Sequence, residues 1–411
     1  MPKIKPFYGI RPNPDYAGRV VLKMENLSLI EAKIIRQENP YSYVNMLVPK
    51  LDNLFLRGSK NELAFKKINE NFEEFLEKGV LIRDAKPSVY VYRVTREESI
   101  QTGIWAVTSI DDYLNNNIKK HELTLPEREA VLIDYLQQTG IDANPVLITY
   151  TGLPRINEII RNTCQAAPDL SFSKDGTLHQ LWKIDEAPDV KAIVEEFAKI
   201  PSAYIADGHH RAAAASLLGL KQRNLNAMHT GKEEFNFFTS VYMASDQLKI
   251  YPFHRLVNNL KGKTIPVFIE QLSRYFEIEK HTGIVIPERL HEFGMYLGGL
   301  WYKLFARSET FGGGDPVSEL DVSILQNYVF TVVLDIPDPR TDPGISFAGG
   351  ISPLDDLIGQ VDEGKNTLLF TLFPTSIDQL IKVADKGGVM PPKSTWFEPK
   401  FQVGLLVHKI N

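Results

Sequence analysis

The chain has 411 residues, with 46 Lys plus Arg against 51 Asp plus Glu and a formal net charge of −5. Its 43% hydrophobic and 24% charged residues match an ordinary soluble globular protein, and at roughly 100–200 residues per domain the length predicts two or three domains. The acidic balance argues against a dedicated nucleic-acid binder, and a single cysteine, Cys164, excludes an internal disulfide framework and a multi-cysteine zinc site.

The N-terminal MPKIKPFYGIRPNPDYAG lacks the continuous apolar region of a secretory signal, and no stretch reaches the ~20 apolar residues that span a bilayer. The expectation is a cytoplasmic protein with no membrane partner. Residues 1–18 hold four prolines and predict an irregular, docked arm. Residues 27–40 predict a helix capped by Ser28 or Asn26 and stopped by Pro40. Residues 60–80 predict a second helix, with Phe65, Ile68, Phe72, Phe75 and Leu76 as its apolar stripe.

Residues 88–94 and 103–110 alternate strand formers and predict a hairpin. Residues 121–140 predict a helix with Thr124 as N-cap and Pro126 early in the first turn. Residues 145–151 are continuously apolar, which predicts a strand buried on both faces. Helix, strand and helix follow at 153–167, 178–184 and 187–200. Strand 202–208 then runs directly into helix 209–219, ended by Gly219. Strands are expected at 235–244 and 250–257. Beyond 261 the pattern changes: helix 264–276, hairpin 293–307, helix 318–334, strand 367–373, helix 376–388 and a closing strand 401–409.

The expected class is therefore α/β, with a mixed sheet and α+β character overall, and a C-terminal α+β lobe of possible ferredoxin-like layout. The expected domains are an N-terminal arm with helices (1–85), a phosphate-binding core (86–260) and the lobe (261–411).

Ala206-Asp207-Gly208-His209-His210-Arg211 is the sharpest local signal. A strand ends, a glycine turns the chain, and a helix begins at once. Unsatisfied N–H groups and the dipole of a helix N-terminus attract phosphate. Gly208 lets backbone approach an anion, Arg211 offers a fork of donors, and His209 and His210 offer donors or a proton shuttle. Asp207 accepts hydrogen bonds, so it suits orienting a His, binding Mg²⁺ or touching a substrate hydroxyl. The plainer alternative is an Asp cap, a turn glycine and two solvated histidines. Adjacent histidines do not share one helix face, which argues against metal held by both imidazoles.

IADGHHRAAAA resembles the phosphate-binding turn of the ParB/sulfiredoxin-like superfamily, and its D-G-H-x-R form is most similar to the free serine kinases there. Seven segments, IKPFYGIRPNP, ENPYSY, KKHELT, IADGHHR, YPFHRLV, LDVSIL and VMPPKSTWFEPKFQVGLL, resemble in order the family known as domain of unknown function 1015. Many relatives carry Pro-Pro-Tyr-Asp-Val where this chain has Val20-Val21-Leu22-Lys23-Met24-Glu25, a departure that bears on activity.

The resemblance implies phosphoryl transfer to a small hydroxylated metabolite such as serine. Its cofactors would be Mg²⁺ and a nucleotide or pyrophosphate donor. Asp207, Gly208, His209, His210 and Arg211 map onto the phosphate turn. Glu122 or Asp207 is the expected base, with His121, Arg128 and Lys393 as further substrate or phosphate contacts. The alternative is a nucleotide-binding switch without kinase activity. Sulfiredoxin-like chemistry is disfavoured because Cys164 lies outside the turn. Lys393-Ser394-Thr395 lacks the glycine cradle of a P-loop, and Gly312-Gly313-Gly314 lacks a strand–helix context. His254-Arg255 reads as a strand pair, Cys164 as a small core residue, and Trp105, Trp182 and Trp301 as core aromatics.

Overall fold

A computed structural model describes residues 2–23, 27–47 and 59–411. The fold is mixed α/β, in two compact units: residues 1–248 with 399–411, and residues 249–398. These boundaries differ from 1–85, 86–260 and 261–411. The arm pairs with the main sheet of the first unit, and the chain's last segment pairs in the same unit with Leu22–Lys23 and Ile141–Asp142, in two separate two-stranded ladders.

In the first unit nine strands form one sheet. They are β1 (Ile4–Lys5), β2 (Val89–Arg96), β3 (Ser99–Ser109), β4 (Ile118–Lys119), β5 (Val146–Tyr150), β6 (Leu170–Lys174), β7 (Thr177–Ile184), β8 (Ala203–Asp207) and β9 (Phe237–Ala244). Their order is β6-β7-β2-β3-β9-β5-β8-β4, with β1 beside β3. The pairs β9–β5 and β8–β4 are parallel, and the others are antiparallel. Six main helices accompany the sheet: α1 (Leu29–Glu38), α2 (Ser59–Glu77), α3 (Pro126–Thr139), α4 (Pro154–Thr163), α5 (Ala187–Phe197) and α6 (His209–Leu225).

The continuous apolar run predicted at 145–151 is β5, buried along its whole length because it lies between two strands and under helices. Ile156 of α4, Ile193 and Phe197 of α5, and Ala212 and Leu218 of α6 pack with Ile148, Ile205 and Tyr242 of the sheet. Each such large side chain taken from water contributes about 1.5–3 kcal/mol. A second cluster joins Phe65, Ile68, Phe72 and Phe75 of α2 to Tyr43, Val403 and Val407.

Several local expectations change. The proline-rich arm is not irregular throughout: Ile4–Lys5 and Ile10–Pro12 form short strands, since its prolines fall beside or at the end of the paired residues. Ser28 caps α1 through a capping box with Glu31, whereas Asn26, Met24 and Glu25 lie outside the described residues. Gly219 does not end α6, which continues to Leu225. A Cβ at 219 would meet Ile110 at 2.4 Å and the Phe235 carbonyl at 2.7 Å, so the glycine permits close packing inside the helix. The N-cap of α3 is Leu125 rather than Thr124.

In the second unit a six-stranded sheet is built from β10 (Phe253–Val257), β11 (Phe276–His281), β12 (Glu292–Leu297), β13 (Leu300–Ala306), β14 (Ile345–Gly349) and β15 (Leu368–Leu372), in the order β11-β13-β12-β15-β10-β14. Every ladder in it is antiparallel. The α+β class stands, and all-antiparallel ladders agree with a split βαβ, whose two parallel strands are separated by an antiparallel one. The predicted strand 250–257 breaks at Pro252, which cannot donate to a ladder. The helix from 264 ends at Leu272, and the helix at 318–334 is a short α-turn (Asp321–Ile324) followed by a π-helix (Leu325–Val333). The closing strand 401–409, in the first unit, is two short strands around Gly404 at φ +80°. No helix among the described residues is long and apolar enough to cross a membrane.

Candidate active site

The turn at 207–211 is made by three local features. Strand β8 is buried from Ala203 to Ala206, and its register against β5 shifts between Ile205 and Asp207, a bulge that re-aims the aspartate. Gly208 then adopts φ +103°, and a Cβ there would lie 2.8 Å from the Arg211 guanidinium. Only glycine combines that backbone with that approach. From His209 the chain is helical for 17 residues, with Ala212, Ala213, Ala214 and Ala215 buried, so the small side chains bring the helix start close to the sheet.

One carboxylate at the turn faces two cations. Asp207 Oδ2 lies 3.2 Å from Lys400 Nζ and 3.4 Å from Arg211 Nη2. Burial pushes the Asp207 carboxyl up, but Lys400 and Arg211 outweigh it and hold the group below the ordinary carboxylate range. Asp207 is therefore ionised at neutral pH and a poor proton acceptor. Arg211 Nη1 donates to Asn144 Oδ1 at 2.6 Å and to the Pro145 carbonyl. These contacts hold the guanidinium in one orientation.

The histidines take different parts. His209 is 3% exposed, with Nδ1 at 3.4 Å from Glu122 Oε2 and Nε2 lacking a partner. His121 is equally buried, meets the His209 ring edge to face at 4.5 Å, and has an unpartnered Nδ1. Burial pushes His121 well below the usual imidazole value, and His209 beside it adds to the effect, so His121 is neutral. The Nε2 of His210 accepts the Leu125 N–H at 3.0 Å, so this imidazole serves the first turn of α3, which has no side-chain cap of its own. Burial lowers its affinity for a proton, Glu122 works against that, and Arg128 reinforces it.

The structure thus brings together His121, Glu122, Asp207, Gly208, His209, His210 and Arg211 from two loops distant in sequence. Arg128 is exposed on α3 and reaches the group only through its field on His210. Lys393 belongs to the second unit, where its ammonium lies 5.5 Å from the Phe253 ring. Sequence reasoning missed Lys400 and Asn144. Lys400 stands inside the resemblance segment VMPPKSTWFEPKFQVGLL, and Asn144 sits at the entry to the buried strand β5, but neither has a local pattern that marks a site. Among the described residues no three His, Cys, Asp or Glu side chains gather as a cation cage, and two cations already match Asp207. That does not fit a resident Mg²⁺ held by the protein alone, which normally takes one or two carboxylates plus phosphate.

The chain belongs to the family described as Protein of unknown function (DUF1015), whose model matches residues 4–323. No curated protein matches the sequence. Among solved structures it is similar to a free serine kinase in complex with AMP, at 14% identity and a TM-score of 0.37, covering 75% of this chain and 93% of that one. A conserved hypothetical protein from Pyrococcus furiosus matches at 14% identity and a TM-score of 0.36, covering 77% and 98%. SbnI with C-terminal truncation from Staphylococcus aureus matches at 14% identity and a TM-score of 0.35, covering 73% and 87%.

Proposed function

We propose that the first unit is a phosphotransferase acting on a small hydroxylated metabolite, with free serine the leading acceptor and a nucleotide or pyrophosphate the donor. The observation that carries this reading is the buried His209, oriented by Glu122 and keeping an unpartnered Nε2 at the start of a helix beside the Asp207–Lys400–Arg211 cluster. Free N–H groups at the start of α6, with Arg211, suit the phosphate being transferred. The acceptor hydroxyl loses its proton to His209 Nε2 as its oxygen bonds to phosphorus. The bond from phosphorus to the donor's bridging oxygen breaks, and the electron pair leaves with the donor. Glu122 balances the imidazolium that forms, which makes it a positioning residue and moves the base role to His209.

Asp207 sets the orientation of Arg211 and Lys400 instead of taking the proton. Mg²⁺, where needed, accompanies the donor's phosphates, and no step here runs through it. The choice of serine rests on the D-G-H-x-R resemblance. The test is phosphate transfer from ATP, ADP and pyrophosphate to a panel of free hydroxy amino acids, in wild type and His209→Gln. Turnover in wild type that falls at least about 100-fold in the variant supports the reading. Nucleotide binding with no acceptor phosphorylated would favour a nucleotide-binding switch instead.

A further inference from the structure

Arg211 is held from a loop that carries a second acid. Asn144 and Pro145, which take hydrogens of Arg211 Nη1, follow closely after Asp142 in the chain. The loop is fastened at Asp142 itself. Its backbone pairs with His408 in a two-stranded ladder, and its Oδ2 accepts the Thr239 N–H of β9 at 2.7 Å. Asp142 and Arg211 also line one small cavity of about 80 Å³, whose walls are otherwise mostly apolar, with Leu136, Val146 and Phe238 among them. Opposite charges in apolar surroundings attract more strongly than they would across water.

The two acids that face Arg211 differ. Asp207 touches Lys400 and Arg211 directly and is ionised. Burial raises the Asp142 carboxyl to about 6, against the opposing pull of His408, the Thr239 N–H and Arg211. His408 in turn contacts Glu234 at 2.8 Å, and Lys5 meets the other Glu234 oxygen at 2.9 Å. The phenols of Tyr43 and Tyr135 also feel Asp142, and burial pushes both up, so they stay neutral. An anion at the turn would offset the charge of Arg211 and so weaken its support of the Asp142 carboxylate. The acid would then hold a proton more tightly, and by reciprocity its protonated form would favour the anion.

We propose that Asp142 is a second counter-charge of Arg211, and that anion binding at the Gly208–Arg211 turn is coupled to proton uptake by Asp142. The coupling rests on the phosphate turn of the phosphotransferase reading. The tie between Asp142 and Arg211 does not, and it is measured with no anion present.

The first measurement is a carboxyl-resolved NMR titration of the full chain in wild type and Arg211→Met. The Asp142 midpoint should move to higher pH in the variant, and an unmoved midpoint would overturn the proposal. The second is calorimetric titration with sulfate, which keeps its charge between about pH 5 and pH 8, into wild type and Asp142→Asn. The asparagine keeps the shape and can still accept the Thr239 N–H, so it removes charge alone. At about pH 8 the variant should bind sulfate about three- to tenfold more tightly than wild type, and at about pH 5 the two should be equal. Protonation of His209 or His210 acts in both proteins and cancels in that ratio. His408→Gln should keep the pH dependence, which separates Asp142 from its imidazole neighbour.

Equal or weaker sulfate binding by Asp142→Asn at the higher pH would overturn the coupling. Absence of sulfate binding in both proteins would overturn it together with the phosphate turn, and a moved NMR midpoint would then leave only the tie to Arg211 standing.

Discussion

Two His-Arg pairs, His209-His210-Arg211 in the first unit and His254-Arg255 in the second, look alike as letters and are built in opposite ways. Arg211 has an acidic partner, and its side chain is 22% exposed. Arg255 is 2% exposed and donates only to carbonyls, of Phe253 at 2.7 Å and Lys393 at 3.0 Å, with no carboxylate paired to it among the described residues. Its guanidinium lies 4.7 Å from the Phe347 ring, and burial pulls its pKa down to about 9. His209 has Glu122 near one nitrogen and a buried, unpartnered second nitrogen. Burial lowers His254 to about 4, the positive Arg255 beside it adding to the effect. A cation with a counter-charge at an opening can serve chemistry, whereas a cation capped by backbone oxygens pins a turn. Here it pins the Pro392–Lys393 turn, where Lys393 sits at φ +55°. That gives Arg255 a structural part in its own unit.

The sharpest way to break this comparison is to change one histidine of each pair. His209→Gln should lower phosphoryl transfer by about 10²–10³-fold, and His254→Gln should leave it within about twofold. Comparable losses in steady-state assays would erase the distinction. Stability should rank the arginines the other way. Arg255→Met strands several buried carbonyls and should cost about 3 kcal/mol in denaturant unfolding, against about 1–2 kcal/mol for Arg211→Met.

A smaller effect concerns Asp207. Its folded pKa is depressed, so its contribution to stability is complete above the unfolded value of about 3.9 and is lost as pH falls through the folded value. Lys400→Met should raise the Asp207 pKa in a carboxyl-resolved NMR titration, shifting that loss to higher pH. An unmoved titration would remove Lys400 from the site.

The smallest effect is set by His254. Its folded value of about 4 lies below the unfolded value of about 6.5, so the unfolded chain binds more protons between them. Stability should therefore fall as pH drops across that interval, and His254→Gln should flatten the fall seen in thermal melts.

Strands and helices with strong periodicity were legible in the sequence: the hairpin of β2 and β3, the buried β5 and the stripe of α2 all follow from side-chain pattern. Gly219 misled because a glycine that ends a helix and one that lets two elements touch are the same letter; only the approach of Ile110 and the Phe235 carbonyl separates them. At the site, Asp207 to Arg211 were legible as a strand–glycine–helix junction. Glu122 entered as a base, but its geometry makes it a partner of His209. Lys400 and Asn144 could not be read at all, because they reach the turn through sheet pairing and the return of residues 399–411, which no local pattern encodes.

The central claim is that the Gly208–Arg211 turn holds phosphate. The most direct measurement is calorimetric titration of pyrophosphate into wild type and Arg211→Ala, with folding of both checked by circular dichroism. Loss of one charge-assisted contact predicts affinity weaker by about 10- to 100-fold in the variant. Equal affinity in the two proteins would contradict the claim.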